Sequence, residues 1–214
     1  MSCCQRGPYD SIFNERHAAR DLKRYRKKGP EKTTRMLLDA LRAEGIEGAS
    51  LLDVGAGIGV IHHELLSAGT QTAMHVEAAT SPLQVAKAET ARRGNSERVS
   101  FLQGDFIALA PDIPLADVVT LDRVICCYPD MKALVSASAT KARRLYGAVF
   151  PRERWMTKAG MVVVNVLLRL FKNPFRGYVH PTAAIDAELR RHGLEPRSVR
   201  DTFVWRVAVY SRSW

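Results

Sequence analysis

Three glycines at alternate positions follow a short apolar segment in Leu51-Leu-Asp-Val-Gly-Ala-Gly-Ile-Gly59. Glycine has no Cβ, so the backbone can turn sharply there and approach a ligand closely. Residues 60–66 have the pattern of a helix, and the first turn of a helix presents unpaired N–H groups. This strand, glycine loop and helix predict a site for a nucleotide-type cofactor at the end of a parallel sheet.

The spacing of the glycines argues against a dinucleotide. The dinucleotide fingerprint Gly-x-Gly-x-x-Gly needs a glycine at position 60, which is Val60 here. The pattern instead resembles the first motif of class I S-adenosylmethionine-dependent methyltransferases. The resemblance implies that Asp53 holds the methionine amino group and that Gly55, Gly57 and Gly59 pass close to the cofactor, which leaves as S-adenosylhomocysteine. A nicotinamide dehydrogenase remains an alternative.

Two further acids follow at the ends of the next predicted strands. Residues 72–76 are followed by Glu77, where a carboxylate can accept hydrogen bonds from both ribose hydroxyls. Residues 99–106 resemble the third strand of the family with its Gly-Asp ending. That resemblance implies that Asp105 receives the adenine amino group and that Phe106 offers an apolar edge to the ring.

A fourth segment, residues 116–124, resembles the fourth strand of the family, whose end faces the transferred methyl group. The resemblance therefore places Leu121 and Asp122 among the cofactor-binding residues. It spans residues 50–124 in the order of the family. The general layout loosely resembles the branch that includes Mg-protoporphyrin O-methyltransferases, without a motif that identifies the substrate.

Strands and helices alternate from residue 50 onward, which predicts an α/β fold with helices on both faces of a sheet. The resemblance implies a Rossmann-like seven-stranded methyltransferase sheet, mostly parallel, with the last strand antiparallel. The predicted strands are 50–54, 72–77, 98–102, 117–121, 145–150, 195–201 and 203–211, and the predicted helices are 59–67, 82–93, 130–144, 151–171 and 182–192.

Two helices are predicted before the first strand, over residues 11–28 and 31–43, with a break at Gly29-Pro30. We expect residues 1–48 to form a cap or lid on a methyltransferase domain of residues 49–214, within one globular unit. Tyr25 lies in the first helix. Related small-molecule methyltransferases imply that such an N-terminal aromatic residue folds over the cofactor.

We expect the residues that bind and activate the methyl acceptor to come from segments outside the cofactor core. His180 is the first candidate base, because it lies in an aromatic and basic loop and histidine titrates near neutral pH. Tyr128, after the fourth strand, is the second candidate and is expected to line the acceptor pocket. The histidines at positions 17, 62 and 63 are not well placed for this role.

The net charge of +10 is concentrated near the N-terminus, where residues 16–35 contain nine lysines and arginines. Together with Arg152, Arg154 and Arg176, this charge favours an acidic small-molecule acceptor. An RNA methyltransferase that uses the basic segment is an alternative, although no interleaved aromatic RNA-binding motif accompanies it. A non-catalytic cofactor-binding module is a further alternative.

Cysteine usage and hydropathy restrict the setting. The adjacent pairs Cys3-Cys4 and Cys126-Cys127 lack zinc-site spacing, so we expect free thiols and no metal. Residues 1–20 lack an apolar signal segment, which predicts a cytoplasmic protein. The longest apolar run, residues 159–168, is too short to span a bilayer. We expect a core helix there, with an interfacial helix as the less favoured alternative.

Overall fold

Seven strands form one sheet in this computed structural model, which describes residues 7–212 of the chain. Along the sheet they lie in the order β3-β2-β1-β4-β5-β7-β6, and β7 runs antiparallel to both of its neighbours while the other adjacent pairs are parallel. This topology confirms the predicted fold class. The strands are β1 Ser50–Val54, β2 Thr72–Glu77, β3 Val99–Gln103, β4 Ala116–Asp122, β5 Ala142–Pro151, β6 Leu194–Asp201 and β7 Trp205–Arg212.

Helices cover the sheet and the edge formed by the carboxyl ends of its parallel strands. In the described part of the chain the α-helices are α1 Gly7–Ile12, α2 Glu15–Lys28, α3 Lys32–Ala43, α4 Val60–Ser67, α5 Thr80–Arg92, α6 Phe106–Leu109, α7 Met131–Ala139, α8 Trp155–Leu170 and α9 Thr182–Arg191. Short 3₁₀-helices occupy Ser96–Arg98, Ala110–Asp112 and Ile125–Cys127.

Both faces of the sheet are buried under helices. Because successive side chains of a strand point to opposite sides, each strand contributes to both apolar layers. Leu51 belongs to the apolar layer that includes residues of α3 and α4, whereas Leu52 belongs to the layer that includes residues of α7 and α9. Val118 and Val119 of β4 divide in the same way. The strands therefore read as continuous apolar runs in the sequence.

Helix α3 is part of this packed sandwich. A Cβ on Gly147 of β5 would lie 2.8 Å from Cδ1 of Leu37, so glycine lets α3 approach the sheet closely. Leu37, Leu38 and Leu41 are almost fully buried. The predicted cap of residues 1–48 thus contains a helix of the core, while α1 and α2 contribute to the cavity described below. The domain boundary itself stays a prediction.

Several predicted helix boundaries differ from the structure, and two of these differences have a clear physical cause. The helix predicted over 11–28 is divided, because the Asn14 side chain accepts a hydrogen bond from the His17 N–H at 3.1 Å and caps α2. The helix predicted over 130–144 ends at Ala139, and β5 begins at Ala142, which pairs with Ala116 of β4. Pairing within the sheet overrides local helix propensity there.

The prediction of a core helix over residues 159–168 is wrong. Helix α8 contains this run, and none of its residues is buried. Apolar periodicity predicts a helix but does not identify what covers it. No helix in the described residues is long and apolar enough to cross a membrane.

Three buried histidines pack between α4 and β2. His62, His63 and His75 are fully buried, the Nδ1 atoms of His62 and His75 lie 3.3 Å apart, and Nε2 of His62 lies 3.2 Å from Oγ1 of Thr90. Burial lowers the pKa of His63 to about 4 and that of His75 to about 3, and holds the pKa of His62 well below its usual value. The cluster is therefore neutral at physiological pH.

We predict that His63→Phe makes the fold less sensitive to acid. The pKa of histidine is about 6.5 in an unfolded chain, but about 4 for the folded His63. The unfolded state therefore binds more protons between these values, and the stability that neutral His63 provides above about pH 6.5 is lost as the pH falls. Relative to wild type, the variant should gain about 2 kcal/mol of unfolding free energy between about pH 7.5 and pH 5.

Urea unfolding of both proteins at the two pH values measures this difference. Groups that titrate in both proteins, such as Asp53, cancel in the comparison. Parallel pH dependence of the two proteins would contradict the prediction.

Candidate active site

A cavity of about 520 Å³ lies where β1, β2 and β4 end. Successive strands are added on one side of β1 up to β3 and on its other side from β4 onward, and such topological switch points are where open α/β sheets bind ligands. Side chains of α1 and α2 line the cavity together with the loops after these strands. Its volume suits a small molecule.

The glycine loop is held in a left-handed backbone by its neighbours. Gly55, Gly57 and Gly59 have φ angles of +61°, +56° and +84°. A Cβ on Gly55 would lie 2.6 Å from Cγ2 of Val124, and one on Gly59 would collide with the His62 ring. A Cβ on Gly57 would meet nothing within 4 Å. The loop is therefore closely packed on two sides, and at Gly57 it lines the cavity.

Asp53 at the end of β1 has an incomplete set of partners. Only 1% of the residue is exposed, and the Thr120 hydroxyl donates to Oδ1 at 2.7 Å. Oδ2 has no hydrogen-bond partner within the part of the chain that the structure describes. Burial raises the pKa of Asp53 to about 8. A cationic group in the cavity would complement this carboxylate, so the site fits a cofactor with an ammonium tail.

Glu77 at the end of β2 organises the loop. Its Oε2 accepts the Gly57 N–H and its Oε1 accepts the Ala79 N–H, both at 2.8 Å. Burial raises the pKa of Glu77. Each carboxylate oxygen has a further acceptor position, so these bonds are compatible with the predicted contacts to ribose hydroxyls.

The structure groups Tyr128 with the predicted adenine residues. The Tyr128 hydroxyl lies 3.1 and 3.2 Å from the two carboxylate oxygens of Asp105, and the Ile107 N–H donates to Oδ1 of the same acid. Phe106 is buried beside them on the cavity wall. Tyr128 therefore lines the cavity with its hydroxyl on the side predicted for adenine, and its role toward the methyl acceptor stays a prediction. Its sequence position could not indicate this direction.

The structure separates the two residues predicted at the end of β4, Leu121 and Asp122, and the role of Leu121 toward the cofactor stays a prediction. Leu121 is fully buried in the apolar layer and does not line the cavity, because strand alternation turns it away from Asp122. Asp122 and Arg123 do line it. Oδ2 of Asp122 accepts the Thr34 hydroxyl at 2.5 Å, and Oδ1 accepts Nε of Arg123 at 3.0 Å.

Arg123 connects this strand end to the N-terminal helices. Its φ of +62° is unusual for a residue with a side chain. Its guanidinium pairs with both Asp122 and Glu31, and Glu31 also pairs with Arg24 of α2 at 2.5 Å. Glu31 thus joins the end of β4 to a helix above the cavity. Glu31 was not among the predicted site residues, since Arg123 lies far away along the chain.

His180 does not line the cavity, and its role as the catalytic base stays a prediction. Its Nε2 lies 2.9 Å from the Tyr128 carbonyl oxygen, and its ring stacks on that of Tyr178 at 5.7 Å. The loop that carries it packs against the outside of the site, since the Tyr178 N–H donates to the Cys126 carbonyl at 2.8 Å. The composition of the loop suggested chemistry, but the direction of the side chain depends on tertiary packing.

The three arginines predicted to hold an acidic group are also absent from the cavity wall. Arg152 pairs with Asp201 at 3.1 Å, and Arg154 lies over the Phe203 ring. Arg176 donates to two nearby backbone carbonyls. The arginines that do line the cavity are Arg20, Arg24 and Arg123.

One face of α2 forms part of the wall. His17, Asp21 and Arg24 recur at helical spacing and line the cavity. This spacing is visible in the sequence, but the sequence alone does not show that His17 faces a cavity. Tyr25 also lines the cavity, but it is 5% exposed and its hydroxyl donates to Oε1 of Glu64 at 2.8 Å. Its hydroxyl is thus fixed to α4, and its predicted contact with the cofactor stays a prediction.

His17 is held by two charged neighbours. Its Nε2 lies 3.0 Å from Oδ2 of Asp21, and Nη2 of Arg20 lies 3.0 Å from Nδ1. The ring of Phe13 meets the imidazole edge-on at 5.6 Å. A histidine whose one nitrogen faces a carboxylate is oriented for proton transfer at the other.

Other reactive groups were also located. Cys126 and Cys127 are free thiols on the cavity wall, and both lie within hydrogen-bond distance of the Arg123 carbonyl. Cys3 and Cys4 lie outside the described residues. Within residues 7–212, no three histidine, cysteine or acidic residues lie together where they could hold a metal ion.

The strand order and the glycine loop together define a Rossmann-like methyltransferase. The chain belongs to the O-methyltransferase domain family, whose model matches residues 9–168, about three-quarters of its length. This match confirms the class predicted from the sequence, an S-adenosylmethionine-dependent methyltransferase. No curated protein sequence matches the chain significantly.

Solved structures share the fold at low sequence identity. The magnesium protoporphyrin IX methyltransferase from Synechocystis PCC 6803 with bound SAH is 19% identical, with a TM-score of 0.70 over 95% of this chain and 100% of that one. An O-methyltransferase family protein from Burkholderia thailandensis is 16% identical, with a TM-score of 0.72 over 97% and 63%. The pyocyanin biosynthetic protein PhzM is 19% identical, with a TM-score of 0.59 over 96% and 71%.

We predict that Gly57→Ala weakens S-adenosylmethionine binding about tenfold or more, equivalent to about 1.4 kcal/mol, whereas Gly94→Ala leaves it unchanged. Both glycines have positive φ, +56° and +70°, and neither would place a Cβ within 4 Å of another group. Each alanine should cost about 1–2 kcal/mol of stability. Only Gly57 lines the cavity and donates to Glu77.

Thermal unfolding measures the stability cost, and titration calorimetry measures the affinity. Gly94→Ala is the matched control for backbone strain. Equal affinities of the two variants would contradict the placement of the cofactor at Gly57.

Proposed function

We propose that this methyltransferase methylates an oxygen atom of a small acceptor that has an apolar body and an anionic group. One observation carries the proposal. The cavity extends beyond the glycine loop to the aromatic rings of Tyr9 and Phe13, with His17 and Arg20 beside them. When bound, S-adenosylmethionine supplies a methyl group on a positively charged sulfur, and the chain positions both partners.

The cofactor is proposed to lie along three adjacent strand ends. Because the sheet order is β3-β2-β1, Asp105, Glu77 and Asp53 follow one another along one edge of the sheet. In this placement Asp53 holds the ammonium group, Glu77 the ribose hydroxyls and Asp105 the adenine amino group. The unpaired, buried Oδ2 of Asp53 supports the first of these contacts.

The acceptor body is proposed to lie against the aromatic wall. The rings of Tyr9 and Phe13 each meet the ring of Phe175 edge-on, at 6.2 and 6.1 Å. This cluster joins α1 to the loop before α9. A preformed aromatic surface of this kind favours a flat apolar molecule.

The anionic group is proposed to bind Arg20. Of the arginines on the wall, Arg24 and Arg123 have close carboxylate partners, whereas Nε of Arg20 lies 3.9 Å from Oδ1 of Asp21, its ion-pair partner among residues 7–212. The Arg20 side chain is 70% exposed and can turn toward a ligand. Such a turn would release Nδ1 of His17 to accept a proton from an acceptor hydroxyl, while Asp21 orients the ring.

RNA is the second candidate acceptor, since Lys23, Lys27 and Lys28 of α2 are exposed. Arg24 and Arg26, by contrast, pair with Glu31 and Glu89 at 2.5 and 2.6 Å. These pairs reduce the charge that is available to phosphates. RNA binding that weakens steeply with salt, together with methyl incorporation into RNA, would favour this candidate over the small acceptor.

We predict that Asp53→Asn lowers the affinity for S-adenosylmethionine by about 1.5–3 kcal/mol, the usual range for a hydrogen bond to a charged group. Asp117→Asn is the matched control, because Asp117 binds Ser50 at the opposite end of β1. Titration calorimetry with the cofactor and with its demethylated product gives both affinities. Retained affinity in Asp53→Asn would remove this acid from the proposed site, and no binding of either ligand to wild type would favour a non-catalytic binding module that keeps a degenerate form of the fold.

We predict that wild type methylates aromatic hydroxy acids in preference to their neutral analogues. Arg20→Gln should abolish this preference by raising KM for the acids about tenfold, which corresponds to about 1.4 kcal/mol. His17→Gln should lower kcat on hydroxyl acceptors by about 10²–10⁴. Arg16→Gln, on an exposed residue of α2 that does not line the cavity, is the matched control.

Transfer of a labelled methyl group to paired acidic and neutral compounds provides the measurement. Release of the label by alkali identifies methyl esters and distinguishes them from ethers. Equal use of acidic and neutral compounds by wild type would contradict the anionic acceptor.

A further inference from the structure

Helix α8 presents a broad apolar surface to solvent. Trp155, Leu170 and Phe171 are 77%, 71% and 81% exposed. At about 100° per residue, the exposed apolar residues occupy an uninterrupted arc of about 200° around the helix. We call this surface the apolar arc; it consists of Trp155, Met156, Ala159, Gly160, Val162, Val163, Val164, Val166, Leu167, Leu170 and Phe171. Apolar surfaces of this breadth mark interaction sites.

Basic residues accompany the apolar arc. Residues 152–176 contain six lysines and arginines and one acid, Glu153, which pairs with Lys158 at 2.8 Å. On the helix, Lys158 and Arg169 lie along one border of the arc, and Lys172 follows the last turn. The surface is therefore apolar in its centre and positive at its border.

A narrow stripe on the other side of α8 attaches the helix to the protein. The Asn165 amide exchanges two hydrogen bonds with the backbone of Gly177, at 2.8 and 2.9 Å. Met161 packs where a Cβ on Gly177 would lie. These contacts hold the apolar arc outward.

We propose that α8 docks the protein on an anionic lipid bilayer. The apolar arc would enter the boundary between acyl chains and headgroups, and the basic border would face the anionic headgroups. Trp155 and the basic residues suit this boundary, where amphipathic side chains concentrate. A helix of 16 residues is about 24 Å long, so it lies in the plane of the interface and does not span it.

The docked position brings the bilayer close to the active site. The loop that contacts α8 through Gly177 also contacts the segment after β4, since the Tyr178 N–H donates to the Cys126 carbonyl. Phe175 of the same loop meets Tyr9 and Phe13 on the cavity wall. Membrane docking rests on the apolar arc and its basic border, and it does not depend on the identity of the methyl acceptor.

Vesicle flotation tests the proposal. Wild type should float with vesicles of phosphatidylcholine that contain about one-third phosphatidylglycerol, and added salt should weaken this binding. The double variant Val163→Glu/Leu167→Glu should bind these vesicles at least about tenfold more weakly, because charged side chains are costly in the acyl region. Leu115→Glu, an exposed apolar residue before β4, is the matched control and should float like wild type.

Cofactor affinity shows that the variants are folded, because no residue of α8 lines the cavity. Binding to anionic vesicles that is lost only in the double variant supports the proposal. Failure of wild type to float, equal binding to pure phosphatidylcholine, or equal binding of the double variant overturns it. If wild type is a dimer that does not bind vesicles and the double variant is a monomer, the apolar arc is an interface with a second copy. This result also overturns the membrane proposal.

Discussion

The close packing of the glycine loop is the constraint on which the site depends. The loop passes between Val124, after β4, and His62 of α4, where a Cβ on Gly55 or Gly59 would collide. Glu77 fixes the remaining side by accepting the Gly57 N–H. One set of contacts therefore joins the ends of three parallel strands to the start of α4. The cavity, the acids around it and the helices above it all take their positions from this junction.

Burial acts in the same direction on the acids and the histidines at this junction, since it favours the neutral form of each. Burial favours the neutral form of the histidines below the loop and also raises the pKa of Asp53. A cationic ligand beside Asp53 would favour the ionised form of this acid. This arrangement suits a ligand that brings its own positive charge.

Much of the fold and part of the site could be predicted from the sequence. The bounds of β1 and β2, and the cavity position of Asp53, follow from short runs in which one segment supplies both structure and chemistry. The directions of the Tyr128 and His180 side chains could not be predicted, because they depend on segments that are distant in sequence. The start of β5 was hidden for the same reason, since its pairing with β4 outweighs local propensity. Helix α8 shows a further limit, because the same apolar pattern fits a core and an exposed interface.

Glu31 is a single carboxylate that connects α2 on one side of the cavity to the end of β4 on the other. It pairs with Arg24 on α2 and with Arg123 after β4. A shift of α2 that separated Arg24 from Arg123 would leave Glu31 with only one of them. Such a shift would therefore break one of the two ion pairs. If ligand exchange requires α2 to move, one of these two ion pairs would have to break, and lid motions of this kind often limit turnover. In that case added salt, which screens these ion pairs, would speed the exchange of S-adenosylhomocysteine for S-adenosylmethionine.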